Sequence, residues 1–303
     1  VGLLETYLDR AAGYGRTSIV VGTGNEGAGN GHASGEVGKG ETAYAELAVG
    51  TYETGFGLQL WKSYVDELEV SLEAPSGRVI GPVEPFMGAQ RLTYGNTEIL
   101  IYHGYPSPYS QSQEIYFDFI PRGDYVDSGI WKVRIRGEEV VTGRYDLWLP
   151  PASTLSGSTR FLKPDPQITL TIPATSSMAI SVGAYDSRYR SYADFSGRGY
   201  TRLTSQVKPD LAAPGVGIMA PRVGGGYEMF TGTSFAAPFV TGAAALLMEW
   251  GIIRGNDPYL YGEKLKACLR RGAARFPAQE AWPNPQMGYG ALCVRDSLPL
   301  PSP

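Results

Sequence analysis

Ser234 sits in Gly232-Thr233-Ser234-Phe235-Ala236-Ala237-Pro238, at the head of the apolar stretch PFVTGAAALLMEW. Val240, Ala244 and Leu247 fall at helical spacing in that stretch, which is apolar almost all round and predicts a buried central helix. A hydroxyl at such an N-terminus lies among unpaired backbone N–H groups and the positive end of the helix dipole, where negative charge developing beside it is stabilised. Pro238 falls within the first turn, where its missing N–H costs little. Ser234 is therefore the first candidate nucleophile, and an N-cap role for Ser234 or Thr233 is the plainer alternative. A second pattern competes with it: Gly22, Gly24 and Gly27 spell G-x-G-x-x-G after an apolar run, the signature of dinucleotide binding. That chemistry needs a helix to open within the motif, and the continuation AGNGHASGEVGKGE is too rich in glycine to propagate one. Two histidines, His32 and His103, and two distant cysteines, Cys268 and Cys293, offer no zinc constellation, and no cofactor is expected.

Four ordered segments turn the Ser234 reading into a resemblance. The heptapeptide from Gly232 to Pro238 resembles the nucleophile motif of subtilisin-like serine proteases, the subtilases. Gly24-Asn25-Glu26-Gly27, after Ser18-Ile19-Val20-Val21, resembles the strand and loop that carry that family's oxyanion asparagine. The run from Met178 to Asp186, followed by Tyr192-Ala193-Asp194-Phe195-Ser196, resembles the next core strand and loop, and the segment Lys208 to Val216 is similar to the strand preceding the nucleophile helix. The resemblance implies that Asn25 and the backbone N–H of Ser234 form an oxyanion hole, since a tetrahedral intermediate needs fixed donors and a carboxamide beside an N–H supplies two. A subtilisin supplies the reference magnitude, about 10²–10³ in turnover on removing such a donor. By the same resemblance Gly22, Thr23 and Gly24 line part of the P1 pocket. Without the Ser234 motif, Asn25 reads as a turn residue among glycines.

The family's order of catalytic residues is aspartate, histidine, serine, with the oxyanion asparagine between the last two. GLLETYLDRAAGYG reads as one helix before Asn25, with Leu4, Leu8 and Ala12 at spacing four. The aspartate and histidine motifs are accordingly expected upstream of Val1. His32 follows the oxyanion loop, where the family does not place its base, and His103 ends an alternating strand elsewhere. The expectation is a serine endopeptidase whose substrate is a protein or peptide, with this chain alone inert and exposing apolar surface for the upstream segment or for self-association. The alternative is a pseudoprotease serving as a scaffold or regulatory binding protein.

The elements around these residues change grammar twice. From about Glu41 to Pro150 strict alternation replaces helical spacing: Leu68, Val70 and Leu72 interleave with Glu67, Glu69, Ser71 and Glu73. Phe117 and Phe119, with Trp131, Val133 and Ile135, are expected inward, and Asp118, Lys132 and Arg134 outward. Pro75-Ser76-Gly77 and Pro121 to Asp124 mark turns between strands. This predicts an all-β insert, and because its aromatics alternate as core residues do, a glycan-binding role for it is disfavoured. Beyond the Ser234 helix, Pro258 to Phe276 predicts an amphipathic helix with Leu260, Leu265, Cys268 and Leu269 inward and Lys264, Lys266, Arg270 and Arg271 solvated.

The insert narrows the resemblance. Tyr145 to Pro150, Lys163-Pro164-Asp165-Pro166, Leu260 to Lys264 and Gly288-Tyr289-Gly290 look like the Csp-type subtilases of clostridia, members of which carry a jelly roll at this position and in some cases activate a cortex-lytic enzyme during spore germination. The implied fold class is α/β, a subtilisin-like, mainly parallel sheet between helices with its N-terminal portion missing, interrupted by an antiparallel jelly roll. The expected division is 1–38 and 161–303 for the catalytic domain and 39–160 for the insert, and the expected location is secreted or spore-associated.

Composition agrees with a globular chain: 303 residues, 43% hydrophobic and 18% charged, can bury one large core or two smaller ones. A net charge of −4 and no basic cluster exclude nucleic acid as a partner. No membrane span is expected, since no run approaches the ~18 apolar residues required.

Overall fold

The computed structural model describes residues 2–14, 16–86, 88–105, 108 and 110–299. The chain divides into two compact units, Val1–Ala28 with Gln167–Pro303, and Gly29–Pro166. In chain order the first unit opens with helix α1 (Leu3–Gly13) and strand β1 (Val20–Gly22). The second unit holds β2 (His32–Glu36), β3 (Thr42–Val49), β4 (Phe56–Ser63), β5 (Glu67–Glu73), β6 (Val79–Ile80), β7 (Gly88–Tyr94), β8 (Thr97–His103), β9 (Ser112–Pro121), β10 (Gly129–Glu139), β11 (Arg144–Trp148) and β12 (Arg160–Phe161). The first unit then resumes with β13 (Ile180–Asp186), β14 (Ser191–Tyr192), β15 (Leu211–Pro214), β16 (Ile218–Pro221), β17 (Tyr227–Phe230), α2 (Thr233–Met248), α3 (Gly262–Arg271) and α4 (Val294–Ser297).

In the second unit, alternation produces two antiparallel sheets, ordered β12-β3-β10-β5-β6 and β2-β11-β4-β9-β8-β7. Every second residue points inward, so Leu47, Leu72, Trp131, Val133 and Ile135 of one sheet share a single buried cluster with Leu58, Leu60, Ile101, Phe117 and Phe119 of the other. The Phe119 and Trp131 rings meet edge to face at 5.4 Å, and Lys132, Arg134 and Asp118 lie on the opposite faces, as the alternation predicts.

The limits of this unit differ from those read in the sequence. The expected boundaries at 38/39 and 160/161 leave β2 and residues 161–166 outside the insert, yet β2 pairs with β11 from His32↔Trp148 to Glu36↔Arg144. The N–H of Asp165 donates to the carbonyl of His32 at 2.8 Å, and Ser34 Oγ donates to Asp165 Oδ2 at 2.6 Å. The segment that enters the insert is thus bonded to the segment that leaves it. His-Ala-Ser-Gly-Glu carries no apolar alternation, so only its partner makes it a strand.

In the first unit β1, β13 and β15 form a parallel sheet, with Val20↔Ile180 and Val182↔Leu211 in register, and β14 folds back antiparallel on β13. Helix α2 lies on these strands through Ala236, Val240, Ala243, Ala244 and Leu247. Its other face corrects the expectation of a helix buried all round: Phe239 is 43% and Leu246 56% exposed, with Pro238, Gly242 and Ala245 beside them. One premise of the membrane expectation is corrected as well: the helical run Thr233–Ile253, 21 residues of mean hydropathy 1.5, is long and apolar enough to cross a membrane by length and composition. In this fold its inner face belongs to the core of the α/β unit.

Polar contacts fix two further faces, and the second departs from the sequence reading. In α1, Ala12 is buried but Leu4 is exposed. The helix docks through Glu5, bonded to Thr175, and Asp9, which accepts from Ser176 Oγ (2.6 Å), Ser177 Oγ (2.9 Å) and the Met178 N–H (2.9 Å). In α3, Leu265, Cys268 and Leu269 are inward as expected, but Lys266 is buried, donating to the Ser177 carbonyl, and Arg270 pairs with buried Asp210. Lys208 completes this group, donating to the Ala179 carbonyl (2.8 Å) and Asp210 Oδ2 (2.9 Å). Both cysteines are free thiols.

Candidate active site

The site is assembled from two loops of the first unit, one after β1 and one before α2. Thr233 opens the helix, and its backbone N–H and Oγ1 both donate to the Asn25 side-chain oxygen, at 3.0 and 3.2 Å. That fixes which way the carboxamide faces: with Oδ1 committed to the helix start, Nδ2 is the end left to donate, and no described residue accepts from it. Nδ2 lies beside Gly232, where a Cβ would come within 3.4 Å of it. Ser234 follows directly, exposed in the first turn, where helix N–H groups have no intrahelical carbonyl to meet. An exposed hydroxyl and two kinds of N–H donor thus converge at one helix N-terminus, an arrangement suited to stabilising an oxyanion.

The rest of the Asn25 loop is held from beneath. Thr23 is buried, its N–H donates to the Val182 carbonyl at 3.0 Å, and its hydroxyl meets Ser196 Oγ at 3.2 Å. Ser196 Oγ in turn accepts from the Ala184 N–H at 2.9 Å, which links the loop to β13. Gly197 N–H donates to Gly24 O at 3.0 Å and Gly27 N–H to Phe195 O at 2.8 Å. Gly22 leaves room for Thr233, whose Oγ1 would lie 2.9 Å from an added Cβ, and Gly24, at φ +89°, has a Thr171 side chain where its own would go. Below this loop Tyr192 bonds to the Ser196 carbonyl, and burial pushes its phenol up against the lowering influence of Arg198.

All five residues singled out in the sequence therefore lie in one unit. Asn25 is bonded to Thr233, the residue before Ser234, at the helix start, Gly22 and Gly24 are spacers for Thr233 and Thr171, and the Thr23 side chain is turned into the interior. The sequence reading passed over Thr233 as an orienting group and Ser196 as a support; the β-branched hydroxyl beside the serine was the available signal for the first. His32 lies in the other unit, with ring nitrogens 3.0 Å from the Asp165 carbonyl and 3.1 Å from Asp146 Oδ1, stacked on Trp148. His103 is half-buried beside Gln113, and burial, with Lys62 nearby, lowers its pKa. Among the described residues no group of His, Cys, Asp and Glu is arranged to hold a metal ion.

Comparison with known proteins gives a consistent picture. The profile of the subtilase family of peptidases, Peptidase S8, matches residues 157–290. Serine protease AprX of Bacillus subtilis is 32% identical over 156 residues, 45% of this chain and 33% of that protein. The minor extracellular protease Vpr of the same organism is 32% identical over 114 residues, 35% of this chain and 13% of Vpr. The structure of the CspB protease of Clostridium perfringens superposes with a TM-score of 0.90 at 38% identity, covering 98% of this chain and 61% of that one. The chain thus spans a third of AprX and about three fifths of CspB.

Proposed function

The chain is a Csp-like member of the subtilase family, and from that premise we propose that it is the nucleophile-bearing part of a secreted serine endopeptidase. Ser234 Oγ attacks the carbonyl carbon of a peptide bond, and the oxyanion that forms is held by Asn25 Nδ2 and the Ser234 N–H. Collapse of that intermediate expels the amine and leaves an ester on Ser234, which water then hydrolyses. The observation that carries this reading is the clamp of Thr233 on Asn25 Oδ1, which commits the oxygen to the helix start and leaves Nδ2, beside Gly232, as the end that can donate.

A base is still required, because the serine hydroxyl is a weak nucleophile at neutral pH. We assign the aspartate and histidine to a segment upstream of Val1. The exposed apolar face of α2, from Phe239 to Leu246, supports that assignment, since a face of this kind beside a catalytic serine calls for a cover. The same face is the self-association surface of the chain on its own. Gly22, Thr23 and Gly24 border the P1 side through their backbone, and the insert is proposed to be a jelly roll. Extracellular Vpr among the relatives supports secretion.

A fluorophosphonate probe tests the proposal. The isolated 303-residue chain should remain unlabelled. Joined to its upstream segment, it should be labelled on Ser234 and lose labelling and self-processing in Ser234→Ala. Strong labelling of the isolated chain would return His32 or His103 to consideration, and no labelling of the joined protein would favour a scaffold that has lost its triad.

A further inference from the structure

The inward residues of β9 are core, but the residues between them form a second, outward row. Register places Trp148 opposite Gln59, Gln59 opposite Tyr116, and Tyr116 opposite Tyr102, so one line of side chains crosses β11, β4, β9 and β8 on the outer face of the six-stranded sheet. At the spacing of neighbouring strands that line is roughly 14 Å long. Trp61 and Glu114 stand opposite one another in the adjoining row, and Asp118 flanks Tyr116 on the other side. Tyr102 is 44% exposed and Gln59 is exposed; Tyr116, Trp61, Trp148, Glu114 and Asp118 are half-buried.

Tyr116 does not stand up from the sheet. A Cβ on Gly57, diagonally across on β4, would collide with the Tyr116 hydroxyl, so the ring lies down over a position that has no side chain and turns a broad face outward. Tyr102 lies beside it, ring centroids 6.3 Å apart and planes tilted by 42°. The polar groups nearest Tyr116 are the Glu114 and Asp118 carboxyls and the Gln59 amide. Burial raises the Glu114 carboxyl, partly offset by a hydrogen bond from Gln59, and burial raises the Asp118 carboxyl. Glu98 faces the same side and is bridged by Arg91 at 3.4 Å.

We propose that this face binds an uncharged polysaccharide of β-linked hexoses or N-acetylhexosamines, with sugar rings stacked on Tyr116 and Tyr102 and their hydroxyls donating to Glu114 and Asp118. Flat aromatic faces suit the C–H face of a pyranose, and half-desolvated carboxyls are satisfied by hydroxyl donors. Acidic side chains on both sides of the rings oppose an anionic polymer. A peptide has no edge strand here to pair with, because β9, β8 and β4 are all interior to the sheet. The sequence disfavoured such a role by assigning the aromatics of the insert to its core. That holds for Phe117, Phe119 and Trp131, and fails for the tyrosines one position out of phase with them.

Calorimetric titration of the whole chain with cellohexaose and with the β-1,4-linked hexamer of N-acetylglucosamine tests the proposal, with hexalysine as control. One or both sugars should bind, and Tyr116→Ala and Tyr102→Ala should each weaken binding by at least about tenfold while the unfolding midpoint of the β unit stays put. Gly57→Ala keeps the ring but lifts it from the sheet, and should weaken binding as well. Gln59→Ala should do so to a smaller extent, which keeps the test informative if a tyrosine variant unfolds. Binding of neither sugar, wild-type affinity in both Tyr116→Ala and Gly57→Ala, or binding of hexalysine alone would overturn it.

Discussion

The two units solve the burial problem differently. The β unit closes on itself: two sheets face each other, and Trp131, Phe117, Phe119 and their neighbours are covered by residues of the same unit. The α/β unit is open by comparison, with a helix that buries Ala236, Val240 and Leu247 on a parallel sheet and leaves Phe239 and Leu246 to solvent. The catalytic candidates sit in the unit whose long helix leaves an apolar face to solvent.

The largest expected effect tests the closed unit. Phe117→Ala should cost about 3–5 kcal/mol, because a fully buried ring is lost between two packed sheets. Urea unfolding followed at an insert tryptophan should move, while a probe in the α/β unit should not; a common shift would mean the two unfold as one. A loss of similar size, roughly 3–5 kcal/mol, is expected in the α/β unit for Asp210→Ala, which leaves Lys208, Lys266 and Arg270 facing one another without their anion.

Next come the site residues, measured in the protein joined to its upstream segment. Asn25→Ala should lower kcat by about 10²–10³ with KM little changed, the pattern of a donor engaged in the transition state. Thr233→Ala retains the main-chain bond to Asn25 but loses the hydroxyl, so a fall of roughly tenfold in kcat is expected. A change in KM alone for either variant would place Asn25 in ground-state binding.

The last expected effect is a pH slope in the α/β unit. Desolvation outweighs the Asp210 carboxylate and lowers Lys208 from 10.5 to about 8. The unfolded chain then binds the extra proton between those values, so stability rises with pH above about 8 and is lost as pH falls back through it. Burial raises the phenols of Tyr185 and Tyr192, which opposes the trend once unfolded tyrosine ionises near pH 10. The unfolding midpoint should thus climb between pH 8 and 10, and Lys208→Met should flatten the climb. An unchanged slope in that variant would assign it to another group.

The same contrast explains what could be read from residue order. The alternation of β4, β9 and β10 specified inner and outer faces because a strand's pattern is local. The Ser234 and Asn25 motifs were legible for the same reason, each being a short run with a chemical requirement. Lys266 reads as solvated because its partners, Ser177 and Asp210, lie far away in the chain, and nothing local reveals that Glu5 and Asp9 dock α1. The clamp of Thr233 on Asn25 is invisible for the same cause, as 208 positions separate the two.

That separation is smaller than it looks. Because Asp165 is bonded to His32 and Ser34, the chain enters and leaves the insert through a pinched stem. Loop-closure entropy grows with the number of free residues between two points, and a stem that closes first removes everything between 32 and 165 from that count. Once the insert has formed, bringing Asn25 to the start of α2 is the closure of a much shorter loop, and a cassette of unrelated sequence with equally close ends could stand in its place without lengthening the path to the oxyanion loop.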